Sequence, residues 1–595
     1  MGGMYYVWPR VTGREMWSWR LASWHVWLTI AGATLMFTGL VVQGFIQGTM
    51  LESGAEFVDS LVEMKPWWFA RTLAGATMDV GFVLMVVNFY QTARHGKPFQ
   101  EPNPELSRQL EAKPAGETLD WYGRPSAVFI IAGLIFFAAA VMVQGVIPSH
   151  TVELNSNKVT DEATGLPILA SDYTPLEQRG RHIYIREGCW YCHSQYIRPV
   201  AGETMRWGPL SQLGEYDFDQ PQMLSTRRIG PDLNRVGRKY GDGWHVAHHW
   251  DPRQVVPDSI MPRFPWLFEK GKDGTPVLND EGKEVVAYIQ KLGTNIGDWR
   301  EGFAPTSLVA GEASMTSQAD SAEQLALGSK VYARRCAGCH GAKGDGKGQS
   351  APFLDVKPRD FTSGVFKFHS TPGADALPTD QDLYVTITHG LWGTPMPPWY
   401  VLSSQQRVAV VKYVKTFSKA WKGRTAAEPI AVTPEPAVSE NSLRHGGQVF
   451  TDNCAMCHGD TGRGDGPAAD DLTDKWGFHV RPADFTLPAG VVGGVKLGHD
   501  GPHIFKTAMN GVGGTPMPVF AETLAPQDVW DVAHFVQSIR IEAHMKELEH
   551  RGLAPVDASK ARMRLWQNIS PAAEQGRIDA SVVQGAAPSA KGGNP

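Results

Sequence analysis

All six cysteines fall in one pattern that occurs three times: Cys189-Trp-Tyr-Cys192-His193, Cys336-Ala-Gly-Cys339-His340 and Cys454-Ala-Met-Cys457-His458. Two cysteines three positions apart project the same way from a short helical turn, so each can form a thioether to a vinyl group of one porphyrin. The adjacent histidine then reaches the iron as proximal ligand. Half of a zinc site would look the same at a single motif, but zinc asks for four Cys or His ligands. Three matches leave no cysteine for a disulfide framework or a thiol nucleophile. The pattern predicts three covalently bound haems c.

The sixth iron ligand should be a methionine or a histidine. Met396 and Met517 each lie in Gly-Thr-Pro-Met-Pro, 60 residues after Cys336 and 63 after Cys454; Met261 lies in Ile-Met-Pro-Arg-Phe-Pro, 72 after Cys189. Prolines stiffen these loops, so a soft thioether is held with little ordering cost. Competing donors are Met205, Met223 and His245 in the first unit, His389 in the second, and His503 and Met509 in the third. His/Met ligation closes the iron to outside ligands, which favours electron transfer over chemistry there and predicts no catalytic residue in the chain.

Each motif needs elements around it, and these repeat too. Gly180, Gly328 and Gly446 precede Ile183-Tyr184, Val331-Tyr332 and Val449-Phe450; a helical-period segment closes each unit with Tyr288, Tyr413 or Phe535. The spacing predicts two terminal helices that cross closely at the glycine, an arrangement that resembles class I cytochrome c and forms an internal repeat. Units two and three also share Gly-Asp-Gly and Pro-x-Asp-Phe-Thr.

The 595 residues suggest about four domains. With 42% hydrophobic and 20% charged residues, a disordered or fibrous chain is excluded. A net charge of -5 gives no electrostatic case for nucleic acid. Three apolar stretches, Trp24–Ile46, Trp67–Tyr90 and Ala127–Ile147, approach the roughly 20 residues that span a bilayer. Arg10, Arg14 and Arg20 precede the first. Arg94, Lys97, Arg108, Lys113 and Arg124 lie between the second and third, and Glu52, Glu56, Asp59 and Glu63 face Lys65 between the first two. The positive-inside rule puts the leading segment in the cytoplasm and everything after Ile147 outside. The first span is too long for a cleaved signal and no small-residue cleavage site follows it.

The segment from Trp121 to Leu292 resembles the monohaem subunit of cbb3-type (C-family) haem-copper oxidases. It does so through GRHIYIREGCWYCHSQYIRP (Gly180–Pro199), RRIGPDLNRVGRKYGDGWH (Arg227–His245) and DPRQVVPDSIMPRFPWL (Asp251–Leu267), behind an anchor ending Val146-Ile147-Pro148. The resemblance implies that Cys189 and Cys192 hold the haem and that His193 and Met261 ligate its iron. It also implies a calcium ion between this subunit and the catalytic one, for which Ser225 is the nearest matching position. SWHVWLTIAGATLMFTGLVVQGFIQG and KPWWFARTLAG look like the last two helices of the family's catalytic subunit, with His25 at a position that is not a haem ligand there. Units two and three take the place of the family's dihaem subunit but resemble generic membrane-associated cytochrome c domains.

The expected architecture is mainly α, with three transmembrane helices followed by three class I cytochrome c domains. Residues 1–100 form two membrane helices, 121–150 the third, 171–295, 322–421 and 441–545 the three haem domains, and 546–595 a tail. Residues 296–322 and 422–440 read as spacers, and the last 25 or so as disordered. The expected setting is a bacterial inner membrane, multi-pass, with the haem domains periplasmic. In the leading reading the chain relays electrons to haem b of a separate haem-copper subunit that reduces oxygen. The donor is a soluble or membrane cytochrome c or a quinol-oxidising complex; His25 is the sole histidine in the spans, too few for haem b and copper. Two alternatives remain open: a partner that reduces nitric oxide, and the triheme subunit of a membrane dehydrogenase.

Overall fold

A computed structural model describes residues 2–52, 57–100, 125–146, 157–197, 208–225, 228–272, 274–297, 299, 321–391, 393–400 and 402–584. It is mainly helical and divides into two compact units, Met1–Ser156 and Asn157–Pro595.

In the first unit a short helix α1 (Gly2–Thr12) precedes two long ones, α2 (Trp19–Glu52) and α3 (Phe57–His95). The 34 residues of α2 reach about 50 Å at 1.5 Å each, beyond the roughly 30 Å hydrocarbon core. The two helices pack closely because glycines sit at their contacts: a Cβ on Gly32 would stand 2.7 Å from the Ala74 carbonyl oxygen, and one on Gly81 3.3 Å from that of His25. Asn88 ties one end, accepting from the Ser18 N–H (3.0 Å) and donating to the Ser18 carbonyl (2.8 Å). Phe37, Phe45 and Phe69 stand exposed on the outside, as a lipid-facing surface requires. His25 is buried and shares a 2.9 Å hydrogen bond with Tyr5. Both helices are long and apolar enough to cross a membrane. The third expected span is helix α4 (Pro125–Val141), only 17 residues, running into a π turn at Met142–Val146.

The second unit repeats one theme three times. After a hairpin of β1 (Lys158–Thr160) and β2 (Pro167–Leu169), unit one is framed by α5 (Pro175–Arg186) and α7 (Asp280–Lys291), with α6 (Asp242–Trp250) between. Unit two has α8 (Ala322–Arg335), α9 (Asp380–His389) and α10 (Ser404–Lys415); unit three has α11 (Glu440–Asn453), α12 (Gly501–Asn510) and α13 (Pro526–His550). Capping boxes at Thr174/Glu177 and Ser321/Gln324 start α5 and α8. The framing helices touch where the glycines predict. A Cβ on Gly180, Gly328 or Gly446 would lie 1.9 Å from the Glu284, 2.1 Å from the Ala409 or 1.9 Å from the Asp531 carbonyl oxygen. Beside each crossing an aromatic pair packs: Tyr184–Tyr288, Tyr332–Tyr413 and Phe450–Phe535, with ring centroids 5.2, 5.5 and 5.3 Å apart.

The tail differs from expectation, and the spacers carry buried anchor points. Residues 422–440 are mostly exposed and extended but anchored at one point, where Glu435 buries its carboxylate and accepts from Ser570 Oγ (3.0 Å), Ala572 N–H (2.8 Å) and His534 Nε2 (3.2 Å). At the head of the other spacer Ile296 is fully buried; residues 300–320 lie outside the described ones. The tail is helical through Gln584, as α14 (Ala558–Ile569), α15 (Pro571–Glu574) and α16 (Ala580–Gln584). Its alanines are small enough to fill a tight core: Ala561, Ala572 and Ala573 are fully buried, and Trp566 and Leu565 share a cluster with Val159 and Ile168 of the β1–β2 hairpin. Residues 585–595 of the expected disordered end lie outside the described ones.

Candidate haem centres

At each motif the histidine is fixed from behind. Nδ1 of His193 donates to the Pro231 carbonyl (2.9 Å), Nδ1 of His340 to that of Arg359 (3.1 Å), and Nδ1 of His458 to that of Ala483 (3.0 Å). A carbonyl can only accept, so the proton is on Nδ1 and the Nε2 lone pair is left for a metal. Burial pushes all three imidazoles below their ordinary value, His340 to about 4, so they are neutral. Phe361 and Phe485 stack on His340 and His458 at 4.4 and 4.6 Å.

Those carbonyls belong to residues that precede an aspartate, and each aspartate pins its turn. Asp232 Oδ1 accepts from Asn234 N–H (3.0 Å), Asp360 Oδ1 from Thr362 N–H (2.8 Å) and Asp484 Oδ1 from Thr486 N–H (2.8 Å). Sequence reasoning noted Pro-x-Asp-Phe-Thr as a repeat but gave it no role. The signal was present, including Pro231-Asp232 in unit one. Burial also pushes Cys189, Cys336 and Cys454 up to about 12. That is opposite to a thiolate metal site or nucleophile and consistent with thiols meant for thioethers.

The methionine loops share a second unforeseen device, a hydroxyl two residues ahead. The N–H groups of Met261, Met396 and Met517 donate to Ser259 Oγ (3.2 Å), Thr394 Oγ1 (3.2 Å) and Thr515 Oγ1 (3.3 Å). In unit three the cavity wall carries Cys454, Cys457, His458 and Met517 together, so both expected ligands face one space of about 1480 Å³ including its open mouth. Most of the wall is apolar, as a haem requires. The residues fit the group.

Of the competing donors, His503 lines that cavity but donates from Nδ1 to Asp500. Met509 packs into the core with Phe505 and Trp530. His389 Nδ1 bonds the Tyr400 hydroxyl (3.1 Å). In unit one Met261 packs half-buried against a core that contains Met223; His245 is buried and pushed down to about 3 by that burial, and Met205 lies outside the described residues. Ser225 donates from Oγ to the Tyr191 carbonyl (3.3 Å). Among the described residues no group of three or more His, Cys, Asp or Glu side chains is gathered for a calcium or other metal ion.

Residues 120–281 match the family model "Cytochrome C oxidase, mono-heme subunit/FixO", residues 1–77 match "Cytochrome C and Quinol oxidase polypeptide I", and residues 325–418 and 443–540 match "Cytochrome c". Each of these models covers less than half of the chain, and together they make it similar, module by module, to subunits of cbb3-type haem-copper oxidases. Cbb3-type cytochrome c oxidase subunit CcoN1 of Stutzerimonas stutzeri is 32% identical over 16% of this chain and 22% of its own length. Cbb3-type cytochrome c oxidase subunit FixP of Azorhizobium caulinodans is 27% identical over 36% of this chain and 59% of its own, and FixP of Sinorhizobium medicae 25% identical over 37% and 73%. The chain thus spans about a fifth of the length of CcoN1 and somewhat over half of that of the first FixP. A chain of the Kuenenia stuttgartiensis reducing HAO-like protein complex Kustc0457/Kustc0458 is 37% identical over 36% of this chain and 95% of its own, with a TM-score of 0.34. The cytochrome c domains imply covalent haem c and electron transport, and the two long apolar helices suit a membrane protein.

Proposed function

We propose that the chain is the triheme electron-transfer subunit of a cbb3-like terminal oxidase. Electrons enter at the haem of unit three or two and pass to the Cys189/Cys192 haem. From there they go to haem b of a separate catalytic subunit with copper, where oxygen is reduced. The observation that carries the reading is the threefold repetition of one device: a Cys-x-x-Cys-His turn whose histidine Nδ1 is held on a backbone carbonyl, leaving Nε2 for iron.

Bound haem c supplies reversible one-electron transfer. Cys189 and Cys192, Cys336 and Cys339, and Cys454 and Cys457 would tether the three haems. His193 and Met261, His340 and Met396, and His458 and Met517 would ligate them. The chain's own residues hold each imidazole in one tautomer. Contacts between units favour a relay. Just ahead of Met261, Gln254 accepts at its carbonyl from Ser350 Oγ (2.6 Å), and Asp258 pairs with Arg334 (2.8 Å) near the second cysteine pair. The Met517 loop in turn meets unit two: Asn510 Nδ2 donates to the His369 carbonyl (3.1 Å) and Gly514 N–H to Asp375 (3.2 Å).

In this reading residues 1–100 contribute the closing helices of the catalytic subunit, α4 is a third span, and the haem units face the periplasm of a bacterial inner membrane. A cytochrome c or a quinol-oxidising complex is the donor. The test is to isolate the complex in detergent, quantify haem c against haem b, and follow oxygen and nitric oxide consumption. Three haems c in this chain, with a copurifying haem b subunit that consumes oxygen, are expected. Nitric oxide consumption alone, or copurification with a dehydrogenase lacking haem b, would overturn the reading.

A further inference from the structure

The unit-three cavity is mostly apolar, with a few neutral polar side chains such as Asn453 and Thr507 and a set of cations. Lys367, Arg481 and Lys496 line it, and no aspartate or glutamate is among its lining residues. Arg481 and Lys496 belong to unit three, but Lys367 belongs to unit two. It sits six residues beyond Phe361, and its carbonyl accepts from the Gly513 N–H (2.9 Å), four residues before Met517. Unit two is thereby fastened to the methionine loop of unit three and extends a side chain into its wall.

The electrostatics say what such a wall would receive. Burial pushes the Lys367 amine down to about 7, with Lys496 and Arg359 repelling its charge; burial lowers Lys496 as well. Asp474 favours the Lys367 charge, but its Oδ1 already accepts from the N–H groups of Trp476 (3.0 Å) and Phe478 (2.9 Å). Arg359 turns away to lie 4.2 Å over the Trp476 ring. Ammonium groups brought into an apolar wall are unfavourable unless an anion meets them. A ligand carrying carboxylates would meet these groups, and a haem carries two as propionates.

We propose that Lys367 and Lys496 are carboxylate-binding residues for the haem of unit three, so that unit two supplies part of its neighbour's cofactor site. The inference rests on the haem reading above. A cation beside the porphyrin favours the reduced iron and raises its potential, and because Lys367 comes from unit two, the potential of unit three depends on how the two units are docked.

The test uses the full chain in its detergent-solubilised complex and reads midpoint potentials by optical redox titration. Lys367→Gln and Lys496→Gln are each expected to lower the potential of the same single haem c, the other two staying in place. Lys367→Arg keeps the charge and should leave all three at their wild-type positions. If Lys367→Gln moves no haem, or a different one from Lys496→Gln, the proposal is overturned. Haem c is quantified in the wild-type chain first: fewer than three sinks the triheme reading itself, whereas three haems with unmoved potentials sinks only the clamp. Loss of one haem in Lys367→Gln, restored in Lys367→Arg, supports it.

Discussion

Three aspartates set the proximal histidines without touching them. Asp360 caps the turn at Phe361–Ser363, and that turn aims the Arg359 carbonyl at His340 Nδ1. An N–H donated to a carbonyl enriches the imidazole in electron density and so favours ferric iron. Asp360→Ala frees the turn, loses the cap at about 0.5–2 kcal/mol, and removes a negative charge. Both electrostatic consequences raise the potential of unit two's haem. Asp360→Asn, which can still accept at Oδ1, should stay closer to wild type. Redox titration with thermal melts checks this; an unmoved potential in Asp360→Ala would show that the carbonyl is held by other means. The cysteines and histidines were legible because their chemistry is in the side chain and its spacing. The carbonyls of Pro231, Arg359 and Ala483 were not, because a backbone acceptor has no letter of its own; only the aspartate after each betrays it.

Helix crossings carry the repeat. In α8 the glycine at 328 lies where a Cβ would stand 2.1 Å from the Ala409 carbonyl oxygen and 2.8 Å from Tyr413 Cβ. Neither neighbour is a flexible side-chain end, so Gly328→Ala must push α8 away from α10. Overpacking of this kind costs about 1–3 kcal/mol or more, beyond anything that alanine's better helix propensity returns. Lower thermal stability is expected, with parallel losses for Gly180→Ala and Gly446→Ala. An unchanged melting temperature in Gly328→Ala would contradict the close crossing. These pairs could be read in advance because glycine, aromatic and 3.6-residue period all point to one contact. The tail could not. Alanine, glycine and serine describe a loose chain by composition, yet the same small side chains let α15 settle with Ala572 and Ala573 fully buried.

Across the 157–584 region the tail acts as a clasp between the first and third haem units. Leu169 and Arg551 are bonded twice, Leu169 N–H donating to the Arg551 carbonyl (2.9 Å) and the Arg551 side-chain Nε to the Leu169 carbonyl (2.9 Å). Asn568 Nδ2 donates to the Ala163 carbonyl (2.8 Å). Removing residues from Ala558 onward would uncover the cluster of Val159, Ile168 and Ile541, so the truncated chain should lose the clasp and become protease-sensitive at the β1–β2 hairpin. A wild-type cleavage pattern would argue that the tail is dispensable. The centre of the clasp is Asp161, which is fully buried and accepts from Thr164 N–H (2.8 Å), Thr164 Oγ1 (2.6 Å) and His544 Nε2 (3.2 Å). Burial by itself would raise its carboxyl, but the His544 hydrogen bond and charge, with Thr164, hold it below the ordinary value. A depressed carboxyl binds fewer protons folded than unfolded, so its stabilisation is complete above the ordinary carboxylate range near pH 4 and is lost as the pH falls through the lower folded value. Wild-type protein should therefore keep the hairpin and α14 protected from hydrogen exchange at neutral pH and release them together in acid, below about pH 4. Asp161→Asn takes the charged acceptor from Thr164 and His544 and brings a buried amide donor in its place, at a cost of about 1–3 kcal/mol. It should show the acid-like exchange pattern already at pH 7 and a flatter pH response. If the variant exchanges like wild type at pH 7, the clasp is held by the apolar cluster and not by this pair.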